Sequence, residues 1–498
     1  MSTNKSPSLE FQRQLDEHLQ SWGLKPFQNE AAYYQWQATV LSASDLSSLQ
    51  EFSQYRQQSE DSSRDIRFYD LAASPAILPV LYSQRYHFFR ELGVAIAERL
   101  ATAKRVMDFG CGVGILTTFW ATLFPDTEFV GLDRSAQSIA MASEHAAQRQ
   151  LRNVRFEQAH IPRDAIGGRY DCLISTHVLF QSEVDPGLSS ANWMTFERSH
   201  DALLQQRLEE RTGVGERLDA LCRALTNDGK MLLCEKTRHL GRRVFFQRVL
   251  AQRGFQNLSE PKMFTYNVID EHIEDGPLYE IVRKDGIPAF PWDEQSEWQE
   301  GQSLYACSGE VAKHICAALG IGQSSTSHRV QPTYRMKQGQ LQLGTWGRAM
   351  TYGTWSTAQG FFGLMWGSVR DEVLLGESLT RFETMTEEDM LESVQHIWGM
   401  RETVESSESV PWYENHTSAA QAIWQSFPDR VITEENTFLG PDGRAMHIEL
   451  GLTGPFMYVY WANTYDQRQL IMTGALCANW LVAYYRDSLS DMQVSANP

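Results

Sequence analysis

The run Val106-Met107-Asp108-Phe109-Gly110-Cys111-Gly112-Val113-Gly114 constrains the fold of this chain more than any other stretch. Val106 to Phe109 reads as a short buried strand, three alternate glycines follow, and Ile115 to Leu123 reads as a helix. Glycine tolerates positive φ, so the backbone can turn sharply and approach a ligand, while the free N–H groups that open the next helix face the same point. The spacing excludes a dinucleotide fingerprint. Counted from Gly110, the third glycine is Gly114, whereas G-x-G-x-x-G needs it where Ile115 stands. After the turn at Phe124-Pro125-Asp126, Glu128 to Asp133 reads as a second strand ending in a carboxylate, at the distance from the loop that suits a ribose diol. Ser135 is expected to cap the helix that follows. Asn153 to Gln158, Tyr170 to Ser175 and Gly229 to Glu235 read as third, fourth and fifth strands. Strands alternating with helices predict a mostly parallel sheet covered on both faces, with its ligand beyond the carboxyl ends of the strands. A helix from Leu240 to Arg253, stopped by Gly254, leads into Lys262 to Asp270 and Leu278 to Lys284, expected as an antiparallel pair at the sheet edge.

The DxGxGxG pattern of Asp108 to Gly114, opening a strand-turn-helix and followed by Asp133, resembles the class I S-adenosylmethionine-dependent methyltransferases over residues 75 to 285 or so. The resemblance implies a Rossmann-like α/β sheet and S-adenosyl-L-methionine as cofactor. It would be held by Asp108, Gly110, Cys111, Gly112, Gly114, Asp133, Arg134, His160 and Ser175, with the ribose on Asp133. The chain departs from the family where the third strand usually ends in an acidic residue for the adenine amino group. Gln158-Ala159-His160 stands there instead, leaving a His160 ring nitrogen or a backbone group for that contact. Helices before the first strand often cover the pocket in such enzymes. An N-terminal helical lid is therefore expected, with Tyr69, Tyr82 and Tyr86 as candidates and plain packing between helices as the other reading.

Methyl transfer is an in-line displacement that asks chiefly for alignment and exclusion of water, without a metal. A carboxylate acceptor needs no base, while a hydroxyl or amine must lose a proton near the transfer step. His177, two residues beyond Ser175, is the best-placed candidate base, ahead of Glu235 and Glu183; a residue at that place also serves to line the cofactor. Thr176 to Gln181 lacks the paired glutamates that a guanidinium acceptor would want.

With 498 residues the chain is too long for one ordinary domain. The expected division is a helical region at 1–74, the methyltransferase domain at 75–286 and a C-terminal α+β domain at 287–498. A net charge of -18 argues against a nucleic-acid partner, whose phosphates are met by Lys and Arg. Seven cysteines without CxxC spacing suggest neither a disulfide framework nor zinc, and with no leader or apolar span in view a cytoplasmic protein with no membrane contact is expected. Ser182 to Val214 separates the fourth strand from its next helix widely enough to carry specificity. The basic run from Arg238 to Arg253 reads as a solvated helix face or, less directly, a seat for an anionic acceptor.

Beyond Pro291, Gly347-Arg348-Ala349-Met350 recurs as Gly443-Arg444-Ala445-Met446. Each copy follows a helical pattern (Glu310 to Leu319, Ala419 to Phe427) and precedes a Gly-x-Phe and a Trp (Trp366, Trp461). The surroundings predict tandem α-β-β-β-α repeats over 305–400 and 415–490, of no recognised family. Three functions stay open: a methyltransferase on a small-molecule or peptide-borne acceptor, a protein methyltransferase with a C-terminal docking module, and a non-catalytic S-adenosylmethionine-binding protein. A homo-oligomer is open as well.

Overall fold

The computed structural model describes residues 7–49, 62–180, 187–195, 197–237, 240–269, 271–284, 328–336, 339–346, 350–357, 360–367, 424, 430–439, 445–453, 456–465, 468–474 and 478–496. The chain divides into two compact units, Met1–Gly187 with Ala202–Phe290, and Leu188–Asp201 with Pro291–Pro498.

The first unit opens with helices α1 (Pro7–Ser21), α2 (Glu30–Val40), α3 (Ser62–Ala72), α4 (Leu78–Ser83) and α5 (Tyr86–Ala97). Then come β1 (Arg105–Phe109), α6 (Ile115–Leu123), β2 (Glu128–Asp133), α7 (Ala136–Gln148), β3 (Val154–Gln158) and β4 (Tyr170–Thr176). The unit closes with α8 (Ala202–Thr212), α9 (Val214–Ala224), β5 (Leu225–Cys234), α10 (Leu240–Gln252), β6 (Phe255–Asn257), β7 (Lys262–Val268) and β8 (Glu271–Arg283). The sheet runs β3-β2-β1-β4-β5-β8-β6, with β7 on β8. The first five strands are parallel, as their alternation with helices predicts. The expected edge pair is present and larger: β8 runs antiparallel to β5, β6 and β7, and the three-residue β6 was not anticipated. The chain leaves β1 toward β2 and returns beside it as β4, which makes the carboxyl ends of β1 and β4 the switch point of the sheet.

Val106, Met107, Cys172, Leu173, Ile174, Leu232 and Leu233 are fully buried, the continuous apolar pattern of strands covered on both faces. Trp120 and Phe119 of α6 pack in the same core, and the Trp120 indole N–H donates to the Gly93 carbonyl at 3.0 Å. Leu15 and Leu19 of α1 belong to that core too, each fully buried side chain contributing about 1.5–3 kcal/mol. The first helix is thus structural rather than a mere cover. His18 of α1 donates from Nε2 to the Ile115 carbonyl at 2.7 Å, tying it to the helix that leaves the glycine loop.

The second unit has one antiparallel sheet of β9 (His328–Met336), β10 (Gly339–Trp346), β11 (Met350–Thr357), β12 (Gly360–Gly367), β13 (Arg430–Leu439), β14 (Ala445–Thr453), β15 (Phe456–Asn463) and β16 (Arg468–Gly474), followed by α11 (Ala478–Ala496). Its order, β13-β14-β15-β16-β12-β11-β10-β9, is two four-strand meanders joined through their last strands, Leu364 facing Ile471. Each half therefore has four strands rather than the expected three. The repeated tetrapeptide is also out of step: Met350 opens the third strand of its meander, whereas Ala445 opens the second. The helices expected ahead of the two copies lie outside the described residues except for Trp424. Leu188–Asp201 supplies a loop to this unit. Ser190 N–H donates to the Thr464 carbonyl at 2.7 Å, and the Trp193 ring stacks on His447 at 3.6 Å and 2°. Part of the wide excursion predicted after the fourth strand thus builds the second unit, and α8 forms a further part of it.

Candidate active site

Gly110, Gly112 and Gly114 have φ of +78°, +55° and +77°, so all three hold the left-handed conformation that the loop needs. Their surroundings differ. A Cβ on Gly110 would sit 2.2 Å from a Val178 methyl carbon, and one on Gly114 would sit 2.9 Å from both Ala142 and the Phe156 ring. A Cβ on Gly112 would meet only the Tyr82 hydroxyl oxygen, at 3.8 Å. The first and third glycines let elements close on one another, and the middle one leaves the backbone open.

Asp133, at the end of β2, braces that open point. Its Oδ2 accepts from Gly112 N–H at 2.9 Å and its Oδ1 from Ser135 N–H at 2.8 Å. A further backbone bond from Arg134 adds to these two, and a carboxylate, with about four lone-pair sites, still has room for another donor. Burial raises its pKa, against the pull of these backbone bonds. Asp108 is 4% exposed and accepts from the Thr117 hydroxyl at 2.5 Å. Burial pushes it up to about 7, with Asp133 adding to the shift. The Cys111 thiol lies 2.9 Å from where a Gly131 Cβ would stand, and burial holds it protonated well above the usual thiol range.

The N-terminal helices reach this loop at two places. Ser135 caps α7 through Ser138 N–H at 3.0 Å, as expected, and its hydroxyl donates to Asp70 of α3 at 2.6 Å. Tyr82 of α4 stands over Gly112. Tyr86, by contrast, is buried with its hydroxyl on Asp16 of α1 at 3.0 Å, the packing alternative of the lid reading. The Tyr69 ring lies 5.6 Å from that of Phe68.

Past the end of β3, Gln158 Nε2 donates to the Arg134 carbonyl at 3.2 Å and Ala159 N–H to the Asp133 carbonyl at 3.0 Å. His160 N–H donates to Asp164 at 2.6 Å, and its imidazole has no hydrogen-bond partner among the described residues.

The carboxyl end of β4 is held from below. Glu235, 1% exposed after β5, accepts from the Ser175 hydroxyl at 3.1 Å and from Val178 and Leu179 N–H at 3.2 Å each. Burial lifts its carboxyl to about 7. Through Val178, this buried carboxylate fixes the wall against which Gly110 is pressed. His177 takes φ +57° between these anchors, and its N–H donates to the Cys234 carbonyl at 2.9 Å. Its Nδ1 accepts from Arg85 Nη2 at 2.7 Å, and its Nε2 lies 3.0 Å from Asp275 Oδ2. The ring stacks on Phe88 at 4.8 Å. Burial above all, opposed by Asp275 and aided by Arg85, lowers its pKa to about 4. The imidazole is therefore neutral, with Nδ1 as acceptor and Nε2 protonated. Arg85, Asp275 and Tyr266, whose hydroxyl donates to Asp275 at 3.1 Å, were missed in the sequence; only the position of His177 pointed to them.

Glu183, Arg238 and His239 lie outside the described residues. In the basic run Arg242 is buried, and Arg253 pairs with Glu209 and Asp219. No group of metal-ligating side chains occurs among the described residues, and no described helix is long and apolar enough to cross a membrane. Cys111, Cys172, Cys222 and Cys234 are free thiols.

Residues 100–285 match the family model described as a methyltransferase domain, and this part of the chain is a class I S-adenosylmethionine-dependent methyltransferase domain. No family matches the C-terminal region. Trans-aconitate 2-methyltransferase of Deinococcus radiodurans is 36% identical over 115 residues, 22% of this chain and 42% of that protein. Ribosomal RNA small subunit methyltransferase G of Bacteroides fragilis is 32% identical over 94 residues, 19% of this chain and 45% of that protein. Release factor glutamine methyltransferase of Salmonella typhimurium is 29% identical over 98 residues, 20% of this chain and 35% of that protein. The chain thus spans less than half the length of these relatives. Among solved structures, magnesium protoporphyrin IX methyltransferase of Synechocystis PCC 6803 with bound S-adenosylmethionine is 15% identical, with 39% of this chain and 79% of that one covered and a TM-score of 0.27.

Proposed function

We propose that this protein transfers a methyl group from S-adenosylmethionine to a small-molecule or peptide-borne acceptor. The observation that carries the reading is the Asp133 carboxylate, fixed by backbone N–H groups of Gly112, Ser135 and Arg134 beside an open glycine. The residues present fit the cofactor. Asp133 would take the ribose hydroxyls, Gly112 the close backbone approach, and Tyr82 would cover the loop. The unpartnered His160 imidazole stands at the adenine end, with Arg134 beside it. When bound, the cofactor supplies an electrophilic methyl on a sulfonium, and what remains for the chain is alignment and dryness. Gly110, Gly114, Asp108 and Cys111 shape the loop, while Ser175, committed to Glu235, shapes the wall opposite.

His177 was the expected base. Its Nδ1 is engaged by Arg85 and its Nε2 faces Asp275 at 3.0 Å, so we assign it a positioning role, and Glu235, with three donors on it, likewise. An acceptor that carries its own nucleophilic lone pair, such as a carboxylate, fits a site whose imidazole is already in use. The relatives named above act, by their names, on an organic acid, on RNA and on a protein, so the resemblance does not choose among acceptors. Calorimetry with S-adenosylmethionine and S-adenosylhomocysteine tests the first step. Turnover with a panel that includes trans-aconitate tests the second. Failure of the full chain to bind either nucleoside would sink the reading, and binding without turnover on any acceptor would leave the non-catalytic alternative in its place.

A further inference from the structure

Arg85 occupies the turn between α4 and α5, half-buried, with its N–H on the Tyr82 carbonyl at 3.0 Å. One turn of chain thus brings a phenol over Gly112 and a guanidinium to the carboxyl end of β4. The guanidinium carbon lies 4.3 Å from the Phe88 ring centroid and 5.9 Å from that of Phe89. Its bond to His177 Nδ1 is the one hydrogen bond it makes among the described residues, and no carboxylate there lies within ion-pair distance of it. Asp275, the acid of this corner, accepts from the Tyr266 hydroxyl and Gly276 N–H at 3.1 and 2.8 Å and lies 3.0 Å from His177 Nε2.

A partly buried guanidinium has five N–H donors and is ordinarily matched by a carboxylate. Here the chain meets it with a neutral imidazole, which fixes its orientation and leaves its charge uncancelled. A flat cation lying on an aromatic ring with its fork free is suited to bidentate binding of a planar anion. We propose that Arg85 binds a carboxylate of the methyl acceptor, so that the acceptor is an organic acid or an acidic peptide group, with His177 and Asp275 as the positioning residues that hold the guanidinium. This rests on the methyltransferase reading above, because it takes the ground beyond β4 and β5 to be the acceptor side.

The test is calorimetry on the full chain saturated with S-adenosylhomocysteine, with succinate as probe and succinamide as its neutral counterpart. The wild-type protein should bind succinate at millimolar concentrations or below and succinamide at least about tenfold more weakly. Arg85→Gln should lose succinate affinity by about tenfold or more, with affinity for S-adenosylhomocysteine changed by less than about threefold. Should Arg85→Gln fail to fold, Arg85→Lys keeps the charge without the fork and should weaken succinate by about threefold or more. His177→Asn, whose carbonyl can replace Nδ1 as acceptor for Arg85, should retain more succinate affinity than Arg85→Gln. The proposal is overturned if the wild type ignores succinate, if succinamide binds equally, or if the Arg85 variants bind succinate as before. If the wild type does not bind S-adenosylhomocysteine, the methyltransferase reading itself has failed, and the two outcomes are told apart by that first titration.

Discussion

Replacing Gly110 by Ala should destabilise the cofactor half by about 2–5 kcal/mol, and removing the Val178 methyls should return much of that loss. At φ +78° an L-residue costs about 1–2 kcal/mol in backbone strain. The new Cβ would stand 2.2, 2.7 and 2.9 Å from three Val178 side-chain carbons, well inside the roughly 3.5–4.0 Å optimum for carbon pairs. Overpacking of this kind adds about 1–3 kcal/mol. Val178→Ala removes the two nearest carbons, so the double variant should show a favourable coupling of about 1–3 kcal/mol. Gly112→Ala is the control, since its Cβ meets nothing closer than 3.8 Å: it should carry backbone strain alone and no coupling to Val178. Whole-chain melts would mix two units, so the quantity to measure is the opening free energy from hydrogen exchange of peptides spanning residues 105 to 123. Additivity of Gly110→Ala and Val178→Ala within about 0.5 kcal/mol would refute the contact between the loop and the wall after β4.

Asp133→Asn should lower affinity for S-adenosylhomocysteine by about tenfold or more, because it removes the charge from the bonds to the ribose; unchanged affinity in calorimetry would misplace the nucleoside. His177, lowered to about 4 from 6.5 by burial, contributes stability that is complete above pH 6.5 and is lost as pH falls toward 4. The opening free energy at pH 5 should therefore drop by about 2 kcal/mol relative to pH 8 through this group, and His177→Asn should remove that share. A chain ending at Asp285 should aggregate, since Leu188–Asp201 would lose the sheet it is built into. The same chain with 188–201 replaced by a short linker should stay soluble, and equal behaviour of the two would contradict the division into units.

Much of the cofactor half was legible because its signals are local. The buried strand, the glycines and Asp133 lie within 30 residues of sequence and need no distant partner to be recognised. The residues that escaped notice work only across the chain. Arg85 reads as an ordinary helix cation until His177, 92 residues on, is folded against it. Asp275 falls in the polar connection expected between Asp270 and Leu278, and Glu235 reads as a base rather than a brace. The N-terminal helices were expected as a lid, but sequence spacing cannot say whether an apolar stripe such as that of Leu15 and Leu19 covers a pocket or completes a core. In the second unit the shared tetrapeptide drew attention to a repeat of three strands, while pairing geometry defines one of four.

The chain passes from one unit to the other three times, after Gly187, Asp201 and Phe290. Ser190 must wait for Thr464, 274 residues later, before its hydrogen bonds exist. At about 5–20 residues per second of synthesis, that interval is roughly 15–55 s, during which Trp193 and its neighbours have no sheet to fold onto. A nascent methyltransferase domain with a tryptophan-bearing loop held open for so long is a natural client for a chaperone. Once the loop is seated, a protease cut anywhere between the units after Phe290 would sever the backbone and still leave the two pieces bound.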